Sequence, residues 1–254
     1  MKRFILSISI VALALVTACP AHALAAIYSY DDGGTREADI CIYGATSGGI
    51  MAAYTAKKAG KSVILIEPSR RIGGLTAGGL GFTDIGRVEI IRGHALEFYR
   101  RVGKTYGSNE PAFKFEPKVA LSVFEGFLRD ADITVLMERR IVKASKKGNL
   151  LTQITLEDAS NQHRPKLKVS ARMFIDCSYE GDLMARSGVS YTVGRESNAT
   201  YGEDYNGVQM LEKHQFPDGV DPYKEKGNPK SGLLYGISPL PMGRQGQADK
   251  RVQA

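Results

Sequence analysis

Cysteine and histidine are scarce in this chain, which has three cysteines and four histidines among 254 residues. Cys19 falls in an apolar N-terminal stretch, so only Cys41 and Cys177 remain in the rest of the sequence. Two cysteines cannot build a disulfide framework, and they cannot supply the four thiolates of an iron–sulfur cluster. Because the sequence also has no clustered His, Cys and carboxylate ligands, we predict no metal site.

Long runs of a single charge are missing as well. The formal net charge is +7, but the basic residues occur as scattered pairs such as Lys57-Lys58 and Arg139-Arg140. No stretch interleaves basic and aromatic residues in a nucleic-acid-binding pattern, so we expect no nucleic-acid partner. An anionic cofactor or substrate is the better electrostatic partner for such a chain. With 43% hydrophobic and 24% charged residues, the composition is that of a globular protein with a real core.

The first residues, 1–25, have the layout of an export signal: a positive start, an apolar core and small residues after it. This segment is too short and one-sided for a stable membrane span. Two kinds of processing are open for this signal. The triplet AHA at 21–23 fits a cleavage site, while Cys19 fits the lipobox of bacterial lipoproteins. We favour plain export to the periplasm or the exterior, since Pro20 directly follows Cys19. A membrane is expected as a partner only if Cys19 is lipidated.

The globular part opens with a βαβ pattern. The runs ADICIY (Ala38 to Tyr43) and SVILIE (Ser62 to Glu67) predict buried strands, and the residues between them have helical spacing. A unit of this size is typical of a parallel strand pair with a crossover helix. Its first turn, GATSGG at 44–49, is similar to the dinucleotide loop G-x-G-x-x-G except that Thr46 replaces the second glycine.

Such a loop binds phosphate because N–H groups at a helix start meet the pyrophosphate. Gly44 provides the tight turn, and Gly49 lets the helix pack close to the sheet. Thr46 keeps its backbone N–H, and the hydroxyls of Thr46 and Ser47 could donate to phosphate oxygens. Taken alone, the loop fits an ordinary strand-to-helix turn equally well. Glu67 favours dinucleotide binding, because it lies 23 positions after Gly44, near the spacing of the acidic residue that binds ribose hydroxyls.

The segment after the second strand favours FAD over NAD. Arg71, Gly73 and Gly74 form an R-x-G-G doublet that resembles the one many FAD enzymes carry at this place. Its glycines permit close backbone approach, and its arginine can balance diphosphate charge. The surrounding stretch, RRIGGLTAGGLGFTDIG, is expected to be a long functional loop.

The remaining pattern predicts a mixed α/β fold. Two amphipathic helices are expected, in RGHALEFYRRVGKTYG and just after Pro117 in PKVALSVFEGFLRDAD. From Ile133 the period changes toward two, which predicts an antiparallel β-meander over about 133–170 and a return strand from Met173 to Cys177. We therefore predict a Rossmann-like FAD-binding parallel sheet with a β-meander over 38–195. An incomplete substrate domain, poor in regular structure, is expected over 196–254.

Three segments together resemble FAD-dependent oxidoreductases that often carry a xanthan-lyase-like label. They are VILIEPSRRIGGLTAGGLGFTDIG, FIDCSYEGDLMARSGVSYTVGRES and HQFPDGVDPYKEKGNPKSGLLYGI. The resemblance covers nearly everything after about Ala38, and this family commonly has threonine at the position of Thr46. It also relates the chain to flavin subunits of the heterodisulfide-reductase type.

The resemblance implies a set of FAD contacts along the chain. These are Gly44, Thr46, Ser47, Gly49, Glu67, Arg71, Gly73 and Gly74, joined by Thr76 and, at a returning strand, by Asp176 and Gly181. In the same segment Tyr179, Glu180 and Asp182 would face substrate. The open alternative is that Ser178 or Asp182 simply caps a helix there.

We therefore predict an exported FAD-dependent oxidoreductase with an unidentified small-molecule substrate, in which the flavin carries the redox chemistry. No catalytic residue is assigned, because His94, His163 and His214 are isolated along the sequence. Family members are longer, so the resemblance implies a C-terminally truncated chain. The alternative function is a non-catalytic FAD-binding fragment, or a flavin subunit that passes electrons to a partner iron–sulfur protein.

Overall fold

The computed structural model describes residues 27–30, 33–209, 219–237 and 244–252. The predicted export signal lies outside these residues. Contacts between residues divide the chain into two units, Met1–Val189 and Ser190–Ala254. None of the helices in the described ranges combines the length and apolarity that a membrane crossing requires.

A single sheet forms the centre of the first unit. Its strands are β1 (Tyr28–Ser29), β2 (Gly34–Tyr43), β3 (Val63–Glu67), β4 (Val135–Met137), β5 (Arg139–Lys147), β6 (Leu150–Asp158) and β7 (Leu167–Asp176). They are arranged in the order β1-β4-β3-β2-β7-β6-β5. The adjacent strands β1, β4, β3, β2 and β7 pair in parallel. Strand β6 pairs antiparallel with both β7 and β5. The predicted α/β class with a largely parallel, Rossmann-like sheet is confirmed.

Helices connect and cover these strands. They are α1 (Ser47–Lys58), α2 (Gly74–Gly78), α3 (Gly93–Thr105), α4 (Pro117–Asp130), α5 (Asp182–Arg186) and α6 (Asn198–Tyr201), with 3-10 turns at Val88–Ile90 and Pro229–Ser231. The predictions of α1, α3 and α4 are confirmed. Helix α4 begins at Pro117 itself, because the first turn of a helix tolerates a residue without an N–H. Helix α2 lies inside the glycine-rich segment that the sequence pattern predicted as loop.

The predicted meander requires two corrections. The stretch that forms β4 pairs in parallel with β3 and β1, so it belongs to the parallel sheet. The return strand does not begin at Met173, because β7 is one strand from Leu167 onward. Strand β2 also begins earlier than the predicted Ala38, at Gly34, and pairs with β7 from Gly34↔Leu167 to Tyr43↔Asp176. Because β2 is longer than predicted, it can pair with β7 over the whole length of β7.

Successive residues of the central strands point to opposite faces of the sheet. Ile42 and Leu65 belong to the apolar cluster that includes α1, α3 and α4. Cys41 and Tyr43 belong to the cluster that the meander strands complete. Burial raises the pKa of the Cys41 thiol to about 12, so this cysteine is an inert core residue. Each fully buried Leu or Ile contributes about 1.5–3 kcal/mol, so these clusters supply most of the driving force for folding.

The second unit is described over 190–209, 219–237 and 244–252. Apart from α6 and one 3-10 turn, these residues form no named helix or strand, as the Pro- and Gly-rich composition predicted. The unit is held by pairings between its two ends. Arg195 donates from Nε to Asp249 Oδ1 at 3.0 Å, and the backbone N–H of Arg195 donates to Arg251 O at 2.9 Å.

Candidate functional site

Three parallel strands end side by side at the first loop. Tyr43 pairs with Ile66 of β3 and with Asp176 of β7, so the carboxyl ends of the strands meet at one edge. The chain leaving β2 stays attached to both neighbours, because Gly44 N–H donates to Ile66 O and Cys177 N–H donates to Tyr43 O, each at 2.8 Å. This edge is where ligands bind in open α/β sheets.

Gly44 and Gly49 allow the first loop to be this compact. Gly44 has a φ of +98°, and a Cβ there would lie 2.7 Å from Ser178 N. At Gly49 a Cβ would lie only 1.9 Å from Gly44 O, so α1 can begin directly against the strand end. Both glycines therefore have the turn and packing roles that the sequence predicted for them.

The hydroxyl of Thr46 is occupied within the protein. It donates to Cys177 O at 2.9 Å and accepts from Gly49 N–H at 3.3 Å, which makes Thr46 the N-cap of α1. A hydroxyl has one hydrogen to donate, so in this structure Thr46 does not offer a donor to a phosphate. The first N–H groups of a helix lack intrahelical partners. Those of Ser47 and Gly48 have no acceptor among the described residues, so they can donate to a ligand at this helix start.

Glu67 is buried at the end of β3 and holds the first loop in place. Its Oε2 accepts from Ala45 N–H at 2.8 Å, and its Oε1 accepts from Ser69 N–H at 2.9 Å. A carboxylate has about four acceptor positions, so two of them remain for the hydroxyls of a ribose. Glu67 can thus brace the loop and bind a ligand at the same time.

The R-x-G-G segment packs onto the same loop. Gly73 has a φ of +84° and donates its N–H to Ala45 O at 2.7 Å. A Cβ on Gly73 would lie 2.7 Å from the ring of Phe124, so only glycine fits there without a shift. The side chain of Arg71 is exposed beside Glu67, where its charge can face an anion. The backbone N–H of Arg71 bonds to the Ser69 hydroxyl at 3.1 Å.

Tyr179 reaches the site from the segment after β7. Its hydroxyl accepts from Leu75 N–H at 2.7 Å, and the residue is 58% exposed. A Cβ on Gly74, whose φ is +55°, would lie 2.1 Å from that hydroxyl oxygen. The sequence analysis placed Tyr179 toward substrate and did not predict this contact, because no local pattern connects positions 75 and 179.

Asp176 and Gly181 shape the turn that carries Tyr179. Asp176 Oδ1 accepts from Ser178 N–H at 2.9 Å, and Oδ2 accepts from Met184 N–H at 2.8 Å. Gly181 has a φ of +68° and donates its N–H to the Ser178 hydroxyl at 3.1 Å. The N-cap residue of α5 is Gly181, without a side-chain capping bond, so neither Ser178 nor Asp182 is the helix cap of the alternative interpretation. The Ser178 hydroxyl also accepts the N–H of Asp182 at 3.2 Å and so holds the turn before the helix. Asp176 lines a different cavity, of about 320 Å³, beside Leu183.

The remaining predicted residues divide between two cavities of about 260 Å³ each. The first, which we call the ribose cavity because Glu67 lines it, is lined by Thr46, Glu67, Arg71, Gly74, Ser178 and Tyr179. The second is lined by Ser47, Gly48, Thr76 and aromatic residues of α3 and α4. Thr46 and Ser47 are adjacent in sequence, so the first loop separates the two cavities.

His94 and His163 line neither cavity, and His214 lies outside the described residues. Within the described ranges, no group of three His, Cys, Asp or Glu side chains is placed to hold a metal ion. The arrangement fits an adenine dinucleotide: helix N–H groups for the diphosphate, a carboxylate for a ribose, a nearby arginine and two cavities along its length.

Comparison with known proteins shows one matching family. The model of one family, described as FAD dependent oxidoreductase, matches residues 39–247. No curated protein matches the chain.

Several solved structures are similar to part of the chain. A flavoprotein/dehydrogenase from Cytophaga hutchinsonii is 18% identical over 64% of this chain and 44% of its own length, with a TM-score of 0.47. THI4 from Thermovibrio ammonificans is 20% identical over 63% of this chain and 66% of its own, with a TM-score of 0.44. A geranylgeranyl bacteriochlorophyll reductase-like protein from Thermoplasma acidophilum is 18% identical over 62% and 43%, with a TM-score of 0.43. The chain thus spans less than two thirds of the length of each of these proteins.

Proposed function

This chain belongs to the FAD dependent oxidoreductase family, and on that premise we propose that it is an exported flavoenzyme acting on a small molecule. FAD is the cofactor of the family. The observation that carries the proposal is the convergence of Thr46, Glu67, Arg71 and Gly74 on the ribose cavity, although they come from separate parts of the chain.

We assign tasks toward FAD to Glu67, to Arg71 and to the start of α1. Glu67 would accept hydrogen bonds from ribose hydroxyls with the acceptor positions that Ala45 and Ser69 leave free. The N–H groups of Ser47 and Gly48, at the positive end of α1, would hold the diphosphate. Arg71 would balance its charge from the exposed side of the cavity. When bound, FAD supplies the electron transfer, and the protein binds and orients both the cofactor and the substrate.

A titration of the purified chain with FAD tests this proposal. We expect quenching of flavin fluorescence with a saturable dissociation constant. Glu67→Gln should weaken binding about tenfold or more, because the amide accepts fewer hydrogen bonds and disturbs the loop that Glu67 braces. Glu37→Gln, an exposed change on β2, is the matched control and should bind as the wild type does. Absence of saturable binding by the wild type would contradict the proposal.

Reduction of the bound flavin separates an enzyme from the alternative. An enzyme should pass electrons between a substrate and the flavin, so a screen of small-molecule reductants should bleach the flavin band under anaerobic conditions. A chain that binds FAD but exchanges electrons only with an added iron–sulfur protein would be the flavin subunit considered above. A chain that binds FAD and exchanges electrons with neither would be the non-catalytic fragment.

Export rests on the pattern of residues 1–25. Mass spectrometry of the mature N-terminus, in cell fractions of a bacterial host, distinguishes the two kinds of processing. Soluble protein starting after the AHA triplet supports plain export. Lipid on Cys19, lost in a Cys19→Ala variant, would identify a membrane-anchored lipoprotein instead. Retention of the full N-terminus in the cytoplasm would contradict export.

A further inference from the structure

Tyr179 links two walls of the ribose cavity that are far apart in sequence. Its hydroxyl accepts the N–H of Leu75, at 2.7 Å and 104 positions away. One wall is α2 with its glycine doublet, and the other is the turn between β7 and α5. Tyr179, Gly74 and Glu67 all line the cavity, so this hydrogen bond joins two of its walls.

The backbone beneath Tyr179 is held firmly. Cys177 bonds to Tyr43 through its N–H and to Thr46 through its carbonyl. Ser178 bonds to Asp176 through both its N–H and its hydroxyl, at 2.9 and 2.7 Å. Tyr179 itself is more than half exposed, so the bond from Leu75 N–H fixes its hydroxyl against the opposite wall.

Gly74 is matched to this tyrosine. A methyl group on Gly74 would lie 2.1 Å from the Tyr179 hydroxyl oxygen and 3.0 Å from its Cζ. The φ of +55° alone would strain a residue with a side chain at this position. The close approach of Tyr179 is a second, independent reason for glycine. The second glycine of the doublet is thus required by a protein side chain as well as by its own backbone.

From these contacts we propose that Tyr179 is a positioning residue that sets the width of the ribose cavity and so controls how slowly FAD is released. The proposal rests on the cofactor site described above. By tying Leu75 to the turn after β7, Tyr179 holds the two walls at a fixed separation. Without its hydroxyl, the walls can move apart and the bound cofactor leaves more easily.

The direct test is the rate of FAD release from Tyr179→Phe, which keeps the ring and removes the hydroxyl. Loss of one hydrogen bond predicts release about three- to tenfold faster, with little change in the association rate. Tyr205→Phe is the control, because Tyr205 is 80% exposed and lies outside the first unit. The stabilisation by FAD, measured as its shift of the melting temperature, should shrink in Tyr179→Phe. A purely structural role would lower both melting temperatures equally and leave that shift unchanged.

A double substitution tests the contact itself. Gly74→Ala should weaken FAD binding strongly in the wild-type background and clearly less in a Tyr179→Ala background, where the clash with the tyrosine is absent and only the 3.3 Å approach to Thr46 Cβ remains. Equal losses in the two backgrounds, or release from Tyr179→Phe at the wild-type rate, would overturn the inference while leaving the proposed function intact. If the wild type bound no FAD at all, the proposed function would fail and this inference with it.

Discussion

Thr46 occupies the position where a dinucleotide loop usually has glycine, and its side chain has a structural use. The hydroxyl caps α1 through Gly49 and connects the first loop to the end of β7 through Cys177 O. A glycine would leave both of these groups without this partner. At the scale of the residue, the threonine side chain fills space that glycine would leave open and holds the loop with two hydrogen bonds.

We expect Thr46→Val, which keeps the shape and removes the hydroxyl, to destabilise the protein by about 1–2 kcal/mol. Thr46→Ser keeps the hydroxyl and should stay close to the wild type. Urea unfolding of the cofactor-free protein measures the difference. Thr55→Val, which removes an exposed hydroxyl bonded to Met51 O within α1, is a control with a small expected effect. Equal stability of the Val and Ser variants at position 46 would show that the hydroxyl is not a cap.

At the scale of the element, the contact between α1 and β2 depends on one glycine of an adjacent pair. A Cβ on Gly49 would lie 1.9 Å from Gly44 O, whereas Gly48 has no atom nearer than Thr46 Oγ1, at 3.8 Å. The two positions lie in the same helix turn and differ in the face they occupy. Helix propensity alone would favour alanine at both.

This difference predicts opposite results for two identical substitutions. Gly49→Ala should displace α1 from the sheet and destabilise the protein by about 2–4 kcal/mol or prevent folding, because a backbone atom must move. Gly48→Ala should be neutral or stabilising by up to about 1 kcal/mol in the cofactor-free protein. Thermal unfolding followed by circular dichroism compares the two. The account would be wrong if both variants lost the same stability.

At the scale of the whole molecule, each unit contains a carboxylate held by arginine. In the first unit, burial would raise the pKa of Asp158, but hydrogen bonds from Ser160 and Arg164 hold it well below its usual range. In the second unit, hydrogen bonding to Arg195 lowers the pKa of Asp249 to about 2. A folded-state pKa below the unfolded value contributes stability that is present above the unfolded pKa and is lost as the pH falls.

Acid should therefore loosen the second unit as the pH falls from about 4, the unfolded pKa of an aspartate, to about 2. Asp249→Asn should already be destabilised at neutral pH, and its second unit should lose the part of the pH dependence that Asp249 causes. Hydrogen exchange between pH 7 and pH 2, followed separately in each unit, measures this. Asp158→Asn is the matching change in the first unit. An unchanged pH dependence in Asp249→Asn would contradict the role of the Arg195 pair.

The sequence by itself determined the local elements of this protein. Strong periodicity predicted α1, α3 and α4, and the run ending at Glu67 predicted β3, because hydrophobic spacing and turn residues act over short distances. The loop glycines Gly44 and Gly49 were predicted with their correct roles for the same reason. Three segments of the sequence predicted the family, and the match of the family model over residues 39–247 confirms it.

Only the tertiary structure decided which distant segments meet. The partner of a strand depends on contacts far along the chain, so the pattern of β4 could not show that it lies in the parallel sheet. The sequence predicted that the Thr46 hydroxyl could donate to a phosphate. In the structure it donates to Cys177 O, which follows the end of β7. The contact of Tyr179 with Leu75 joins segments that no local pattern connects. Long-range packing sets such contacts, and a single sequence records only the residue types that take part in them.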